Sequence, residues 1–331
     1  MRGNPLSIPI PKIKIILLHI ILLFFFLSIS GCASIDKDIV SKERQDAIPT
    51  DAVKMQPETD PAPPILHHDD WQTIIPLSEV INTAGGEDSP FYDQANNALY
   101  FFFTPNTHLP AEKQLNDGAT GIYVSYFENN IWSKPQRVLL NKPDEPALDG
   151  CPFILNDTLW FCSARVNNFR GVDLWTAKWN GEDWVQWQNA GKLLNLDYDM
   201  GEMHLTMDGK EIYFHSAQAG TLGGLDLWVT TWQNETWNTP LNLTQVNSQW
   251  NDSRPWVSPD GTELWFMRDH QGSPAIFRSI KLDEEWQEPQ LIISQFAAEP
   301  TLDQFGNIYF AHHFIIDGVI VDADIYVAIK K

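Results

Sequence analysis

The stretch Ser258-Pro259-Asp260-Gly261-Thr262-Glu263-Leu264-Trp265-Phe266 holds the motif that decides the fold. Its last three residues, an aliphatic residue, an aromatic residue and phenylalanine, return four more times. The five copies are Leu99-Tyr100-Phe101, Leu159-Trp160-Phe161, Ile212-Tyr213-Phe214, Leu264-Trp265-Phe266 and Ile308-Tyr309-Phe310. Their central aromatic residues lie 60, 53, 52 and 44 residues apart. A period near 50 residues with short strands inside each unit is typical of a β-propeller.

One repeat, residues 248–295, divides into four short strands joined by polar turns. Residues 251–257 are predicted as the innermost strand, 263–267 as the second and 275–280 as the third, and Trp286 opens the fourth. Pro259 presets φ and Gly261 tolerates a positive φ, as a tight turn between the first two strands requires. The pattern therefore predicts an all-β fold of four-stranded blades.

The two ends of the chain complement each other in this scheme. The last repeat stops after three strands, while the segment Trp71–Asn82 precedes the first repeat and matches Trp237–Asn247 closely. We therefore expect residues 71–82 to form the outer strand of the last blade, which leaves no open sheet edge. The sequence predicts a five-bladed β-propeller over residues 71–331, closed by pairing the N-terminal strand with the C-terminal blade.

The repeats resemble the TolB-type, WD-repeat-like propeller repeats of many bacterial envelope proteins. The resemblance covers nearly all of residues 71–331 and rests on three stretches, Ser258–Phe266, Met207–Phe214 and Gly223–Trp228. It implies a family of binding and scaffolding modules, with glycan-processing enzymes on related propellers. The fold alone therefore does not choose a function.

The N-terminus predicts export and a lipid anchor. Residues 1–31 read as a signal peptide, because a basic start precedes an apolar run that is short of the roughly 20 residues of a spanning helix. Ile29-Ser30-Gly31-Cys32 resembles a bacterial lipobox, which implies cleavage before Cys32 and lipidation of its thiol. An uncleaved signal anchor is the alternative. Ala33 in place of Asp implies the outer membrane of a Gram-negative bacterium, with the domain facing the periplasm or the cell surface.

Residues 32–70 contain several prolines among charged residues and show little periodicity. Such a segment buries too little apolar surface to become ordered. It is predicted to be a disordered tether between the membrane and the propeller.

The charge of the chain limits its partners. The sequence has 22 basic and 43 acidic residues, and removal of the signal peptide leaves 19 basic residues and a net charge of −24. This acidity excludes nucleic acid as a favoured partner. We expect a monomer whose partners are the membrane, through the Cys32 lipid, and an envelope protein or a glycan.

Two cysteines remain in the predicted domain, Cys151 and Cys162, placed symmetrically about the turn-like pair Asn156-Asp157. A hairpin centred there would bring them opposite each other, and an oxidising compartment permits a disulfide. A two-residue loop would however place them at a hydrogen-bonded pair with a wide Cα spacing. Two packed free thiols are therefore the alternative.

Acidic residues recur where each innermost strand begins, and five-fold repetition would gather them at one channel mouth. They are Asp88, Asp149, Glu202, Asp252 and Glu299. Three interpretations stay open: structural capping at blade junctions, a mouth that binds sugar or Ca²⁺ through oxygen ligands, and a glycosidase with paired carboxylates. In the glycosidase interpretation the catalytic candidates are Asp88, Asp149 and either Glu202 or Asp252.

Basic and histidine side chains accompany these carboxylates. His204 and Arg254 are predicted to hold a ligand, and the loops at the same face add Arg165, His215 and Arg268. A polysaccharide lyase with His204 or His215 as base is a variant of the enzyme hypothesis. The sequence contains no nucleotide-binding, zinc or nucleophile-elbow motif, so no cofactor or resident metal is predicted, Ca²⁺ at the mouth excepted.

The leading hypothesis is a lipid-anchored envelope propeller that binds a protein or a glycan without catalysis. The alternative is a carbohydrate-active enzyme, either a glycoside hydrolase or a polysaccharide lyase, with its carboxylates at the channel mouth.

Overall fold

The computed structural model describes residues 43–331 and shows an all-β protein. The signal peptide, the lipobox and the first part of the predicted tether lie outside these residues. Helical turns within residues 43–331 are short: Arg44–Ala47, Pro57–Thr59, Ala111–Gln114 and Leu193–Asp197. None of these helical turns is long and apolar enough to cross a bilayer.

Two strands precede the first meander: β1 (Ile65–Leu66) and β2 (Trp71–Pro76). The other strands form five successive antiparallel meanders. The first contains β3 (Gly86–Asp93), β4 (Ala98–Thr104), β5 (Gly121–Glu128), β6 (Ile131–Trp132) and β7 (Gln136–Arg137). The second contains β8 (Leu148–Leu155), β9 (Thr158–Ala164), β10 (Asp173–Trp179) and β11 (Trp184–Asn189).

The remaining three meanders follow the same order. The third contains β12 (Met203–Leu205), β13 (Glu211–Ser216), β14 (Asp226–Gln233), β15 (Thr236–Trp237) and β16 (Leu241–Asn242). The fourth contains β17 (Asp252–Val257), β18 (Glu263–His270), β19 (Ser273–Leu282), β20 (Glu285–Trp286) and β21 (Gln290–Ser294). The fifth contains β22 (Ala297–Leu302), β23 (Ile308–Ile316) and β24 (Val319–Lys330).

The repeated motif lies on the second strand of every meander and forms the core. Its five phenylalanines have no exposed surface; they are Phe101, Phe161, Phe214, Phe266 and Phe310. Full burial of one such side chain stabilises the fold by about 1.5–3 kcal/mol. The motif therefore has a packing role in every meander.

The fifth meander receives its outer strand from the start of the domain. β2 pairs antiparallel with β24 from Trp71↔Lys330 to Pro76↔Tyr326. Beyond β2, the Asn82 side chain donates to the carbonyl of Ile325 and accepts from its N–H, both at 3.0 Å. Asn195 and Asn247 hold the third strands of their meanders in the same way.

An arginine lies between neighbouring meanders in a recurring niche. In the second meander, Arg165 pairs with Asp149 at 2.6 Å, donates to the Leu140 carbonyl and lies over the motif Phe161. In the fourth meander, Arg268 pairs with Asp252 at 2.5 Å, donates to the carbonyl of Val246 and lies over Phe266. Both carbonyls belong to the segment that ends the preceding meander, so each arginine connects two meanders.

The first meander has the same niche, but its arginine comes from the segment predicted to be a tether. Arg44, 6% exposed, lies 3.4 Å from Glu87 and over the motif Phe101. It donates to the carbonyl of Ile81 at 2.7 Å, in the segment that follows β2. Arg44 therefore connects the fifth meander to the first, as Arg165 and Arg268 connect their neighbours.

Further contacts order the rest of this segment. Lys54 pairs with Asp322 and Asp324, Asp60 lies 2.8 Å from His312, and β1 pairs with β21. The prediction of a disordered tether is therefore wrong for residues 43–70, which pack on the fourth, fifth and first meanders. Composition predicts disorder because the segment, here named the arm, has few apolar residues, but three of its charged residues, Arg44, Lys54 and Asp60, have buried partners.

We expect Arg44→Ala to lower the free energy of unfolding by about 3 kcal/mol, because it leaves the fully buried Glu87 without its countercharge. Urea unfolding followed by tryptophan fluorescence measures the loss. Lys134→Ala is the matched control, since Lys134 contacts the neighbouring Glu43 at 2.7 Å between two exposed side chains, and it should cost about 0–1 kcal/mol. Equal effects of the two variants would contradict an ordered arm.

Candidate functional site

Five side chains at equivalent positions of the five meanders lie around one cavity. The Tyr or Trp of each motif pairs with one residue of the neighbouring inner strand. The residue two positions before that partner has an equivalent place in all five meanders. These five residues, here named the central ring, are Ser89, Cys151, Glu202, Arg254 and Glu299, and all of them line one cavity. Three of the five are charged.

Four ring positions share one backbone geometry, and each is followed by proline. Ser89, Cys151, Arg254 and Glu299 each precede a proline and have φ between 48° and 58° at a bulge of the inner strand. A positive φ is unusual for residues other than glycine, and such strain often accompanies functional sites. Glu202 precedes Met203 instead of proline, and its φ is not positive.

The cavity is shallow because side chains close it below the ring. Its floor is formed by Phe91, Phe153, His204, Trp256 and Thr301. The His204 ring lies 4.3 Å from that of Phe153 and 5.5 Å from that of Trp256, centroid to centroid. About 520 Å³ of empty space lies above this floor, counting the part open to solvent. The cavity therefore opens at the end where the inner strands begin, which we name the mouth end.

Arg254 joins the two acidic members of the ring. Its Nε lies 3.3 Å from Glu202 Oε1 and also contacts Glu299 Oε1. Its Nη1 has only Met267 Sδ at 3.9 Å, and its Nη2 has no hydrogen-bond partner among residues 43–331. Burial would lower the pKa of Arg254, but the neighbouring carboxylates raise it, so the guanidinium stays charged. Its terminal nitrogens remain available as donors.

Glu299 of the ring forms a second carboxylate pair with Asp88, which lies behind the ring. Glu299 accepts a hydrogen bond from the backbone N–H of Ser89 at 2.7 Å and contacts Asp88, which lies 3.3 Å from His313 Nε2. Burial, together with the charge of Asp88, raises the pKa of Glu299 well above its ordinary value. Burial would also raise the pKa of Asp88, but the charge and hydrogen bond of His313 hold it lower. Glu299 therefore holds a proton more readily than Asp88 does.

Some buried polar atoms beside the cavity have no partner among the described residues. They are Asp88 Oδ2, Ser89 Oγ and Ser253 Oγ. Buried polar atoms are nearly always hydrogen-bonded, to protein, water or ligand. Of the three residues, Ser89 lines the cavity itself, so its hydroxyl can reach a bound molecule.

The structure corrects the expectation that five carboxylates surround one mouth. Asp149 and Asp252 lie two residues before the ring, and they do not line the cavity because they form the arginine niches with Arg165 and Arg268. The side chains of those two arginines are used in the same niches. Only Glu202 and Glu299 of the predicted carboxylates face the cavity, with Asp88 behind them.

Of the two predicted histidines, His204 is buried in the floor of the cavity, and His215 is half-buried and contacts the backbone of Arg254. Burial lowers the pKa of His204 and of His215 to about 3. His215 packs on Gly201, where any Cβ would lie 2.2 Å from the imidazole Nε2, and its Nδ1 accepts from the Arg254 N–H at 3.3 Å. A histidine with so low a pKa is a weak base, which disfavours the lyase hypothesis.

Cys151 and Cys162 are both free, so the predicted disulfide is not formed. The bulge at Cys151 shifts the pairing of the two strands by one residue. As a result Gly150, not Cys151, lies opposite Cys162. Both thiols line the cavity.

Sequence reasoning missed the roles of Ser89 and Cys151 in the ring and of His313 beside Asp88. The sequence does mark Ser89 and Cys151, because a proline follows the ring residue in four of the five repeats. The four pairs are Ser89-Pro90, Cys151-Pro152, Arg254-Pro255 and Glu299-Pro300. No group of three or more His, Cys, Asp or Glu side chains within residues 43–331 has the arrangement of a metal site. The Ca²⁺ alternative therefore has no ligand set in the described part of the chain.

No family model and no curated protein matches this sequence. Among solved structures, the endo-arabinase from Bacteroides thetaiotaomicron VPI-5482 is similar with a TM-score of 0.50 and 12% identity over 76% of this chain and 96% of that one. TolB from Acinetobacter baumannii has a TM-score of 0.44 and 13% identity over 75% of this chain, and the match spans 55% of TolB. An engineered GH43 glycoside hydrolase has a TM-score of 0.43 and 12% identity over 73% of this chain and 49% of that one.

At these identities the likeness concerns the fold alone. The endo-arabinase match supports an all-β, propeller-like architecture for this chain. The other two matches are too distant to add to it. Activity must therefore be argued from the residues of the cavity.

We expect His204→Phe to make stability less sensitive to acid. A histidine with a folded pKa near 3 binds a proton more readily when unfolded, so its stabilising contribution is present above about pH 6.5 and is lost as pH falls toward 3. Removing it should reduce the slope of unfolding free energy against pH by up to about 1.4 kcal/mol per pH unit. The phenylalanine also loses the 3.4 Å contact from the Val257 N–H, at a cost of about 1 kcal/mol at pH 7.

Urea unfolding at several values between pH 4 and pH 7 gives these slopes. His108→Gln serves as control because His108 is exposed. Parallel slopes for His204→Phe and the unchanged protein would show that His204 is not held neutral by burial.

Proposed function

We propose that the protein is a lipid-anchored envelope binding module whose ligand site is the central cavity, and that it is not a hydrolase. The lipid anchor is inferred from Ile29-Ser30-Gly31-Cys32 and the outer membrane from Ala33. The binding role is inferred from the charges of the central ring.

We further propose that the five meanders are the blades of a closed five-bladed propeller. The inner strands support this, since each contacts the next and β22 contacts β3. The pairing of β2 with β24 and the Arg44 niche support a junction of the same kind between the last meander and the first.

The observation that carries the proposal is the position of Arg254 between Glu202 and Glu299. A glycosidase needs its two carboxyl groups on either side of the scissile bond, with roughly 5–9.5 Å between them for the sugar and, in inverting enzymes, for water. Here both carboxylates contact the same nitrogen of one guanidinium. The guanidinium occupies the space where the anomeric carbon would lie, so these two groups cannot act as acid and base on a sugar.

The same arrangement suits the binding of hydroxyl groups. Arg254 offers donors through Nη1 and Nη2, while Ser89 Oγ and the carboxylate of Glu202 offer acceptors beside it. A hydroxyl both donates and accepts, so a polyol satisfies both kinds of group at once. We therefore favour a glycan over a protein segment as the ligand of this cavity.

A carbohydrate-active enzyme remains the second candidate because one observation favours it. The pKa of Glu299 is raised and that of Asp88 lowered, and a pair displaced in opposite directions is the usual sign of an acid and a base. Against this, Asp88 is only 1% exposed and does not line the cavity. A substrate atom in the cavity would touch Glu299 but not Asp88.

We expect Glu202→Gln to weaken binding of arabinan fragments about tenfold, because it removes the charge from a hydrogen-bond acceptor. Isothermal titration with arabino-oligosaccharides measures the change, the choice of sugar following the endo-arabinase likeness. Glu182→Gln is the control, since Glu182 is exposed in the turn between β10 and β11, at the opposite end. Equal affinities for both variants would remove Glu202 from the site.

Incubation of the same fragments with the protein, followed by reducing-end analysis, tests the enzyme alternative. We expect no turnover. Turnover that is lost in Glu299→Gln and kept in Asp149→Asn would establish a hydrolase and overturn the binding-module proposal.

We expect Cys32→Ser to release the protein from the membrane fraction, because the thiol that would carry the lipid is lost. Sedimentation of cell envelopes and the intact mass of the purified protein check this. A protein that stays in the membrane with an uncleaved N-terminus would instead support the signal-anchor alternative.

A further inference from the structure

Two free thiols face the central cavity from the second meander. Cys151 is a member of the central ring on β8, and Cys162 lies on the neighbouring strand β9. Both side chains line the cavity, and the two thiols contact each other. Cys151 is half-buried and Cys162 is buried, so the cavity is the route by which a small ion can approach the pair.

The backbone brings these thiols together without joining them. At the bulge of β8, Cys151 has a φ of 50°, and Gly150 takes the position opposite Cys162. A bulge changes the direction in which a side chain points, and here the Cys151 side chain lines the cavity together with Cys162. Two sulfur atoms therefore face one small space, and neither belongs to a disulfide.

The donor set indicates which ion such a pair would bind. Thiolate sulfur is a soft ligand, and soft ligands select Cu(I), zinc or iron–sulfur clusters. Structural zinc and the iron of such clusters need about four protein ligands. Within residues 43–331, no third His, Cys, Asp or Glu side chain completes the pair as a metal site. Cu(I) is the ion of this group that two thiolates alone can hold, in a linear arrangement.

A further sulfur and a cation lie in the same cavity. Met203 lines it, and a thioether is also a ligand that favours Cu(I). Two thiolates and one Cu(I) carry one negative charge in total. Glu202 lies beside Cys151 and would repel this charge, but it is paired with Arg254 at 3.3 Å. The guanidinium therefore reduces the electrostatic cost of forming the complex.

We propose that Cys151 and Cys162 form a two-thiolate binding site for Cu(I) in the wall of the central cavity. Binding forms two Cu–S bonds and releases two thiol protons to solvent. The copper stays Cu(I), so no electron is transferred. The inference goes beyond the proposed function and needs neither the glycan ligand nor the lipid anchor, because it uses only the two thiols and the cavity.

The experiment uses the full chain with Cys32→Ser, so that Cys151 and Cys162 are its only thiols. The reduced protein is mixed without oxygen with Cu(I) held by bathocuproine disulfonate, whose coloured complex reports the copper that the protein has not bound. We expect one Cu(I) per chain, with sulfur neighbours in the X-ray absorption spectrum. Cys151→Ser or Cys162→Ser should weaken binding about a hundredfold or more, because only one thiolate remains.

Met207→Leu is the matched control, because Met207 carries a sulfur that is 58% exposed in the turn between β12 and β13. Its affinity for Cu(I) should equal that of the starting protein. Equal affinity in the Cys151→Ser, Cys162→Ser double variant would overturn the site.

Measurements on the starting protein decide the question even where a variant does not fold, which circular dichroism detects. Copper without sulfur neighbours, or no copper bound in competition with the chelator, would overturn the proposal. A Cys151–Cys162 disulfide that persists under the reducing conditions, shown by failure of both thiols to react with a maleimide in denaturant, would do the same.

Discussion

The arginine niche is the interaction on which the arrangement of the meanders depends. A guanidinium pairs with a carboxylate at the start of an inner strand, covers the motif phenylalanine and donates to a carbonyl at the end of the preceding meander. Sheets that pack mainly through aromatic side chains can slide or rotate, because apolar contact has little directionality. A planar, forked cation bound to three fixed partners has a single geometry, so it sets how one meander lies on the next.

This interaction also explains why the arm belongs to the domain. Burial raises the pKa of Glu87 to about 8 and that of Asp324 to about 7, even though Arg44 and Lys54 act in the opposite direction, so each cation offsets part of the cost of burying these carboxylates. In the second and fourth meanders the cation comes from the meander itself, as Arg165 and Arg268. For Glu87 and Asp324 the cations are Arg44 and Lys54 of the arm. Residues 43–70 therefore pack as part of the same domain as residues 71–331.

The repeat pattern predicted the fold well because it records local packing. An aromatic residue followed by phenylalanine on every second strand is buried wherever it occurs, and the match of Trp71–Asn82 to Trp237–Asn247 anticipates the pairing of β2 with β24. The arm was not predictable in this way. Lys54 and its partner Asp324 are 270 residues apart, and nothing in the composition of residues 43–70 indicates such a contact.

The sequence predicts the site only in part. An acidic residue of an arginine niche and one of the central ring differ by only two positions on an inner strand, so the sequence pattern does not separate them. Asp149 and Glu202 both lie near the start of an inner strand, yet one is in a niche and the other in the central ring. In four meanders a proline follows the ring residue and distinguishes it from the niche residue. The proline marks the position in the ring, but it does not predict whether the side chain there is charged.

What the ring can do depends on which side chains share its axis. Five equivalent positions face one small space, so two carboxylates there repel each other unless a proton or a cation lies between them. Arg254 supplies the cation for Glu202 and Glu299, and the repulsion between Glu299 and Asp88 contributes to the raised pKa of Glu299. On the binding proposal, these charges neutralise one another instead of acting on a substrate. The terminal nitrogens of Arg254 remain for a ligand, and such a site gains from a molecule that donates and accepts hydrogen bonds without adding charge.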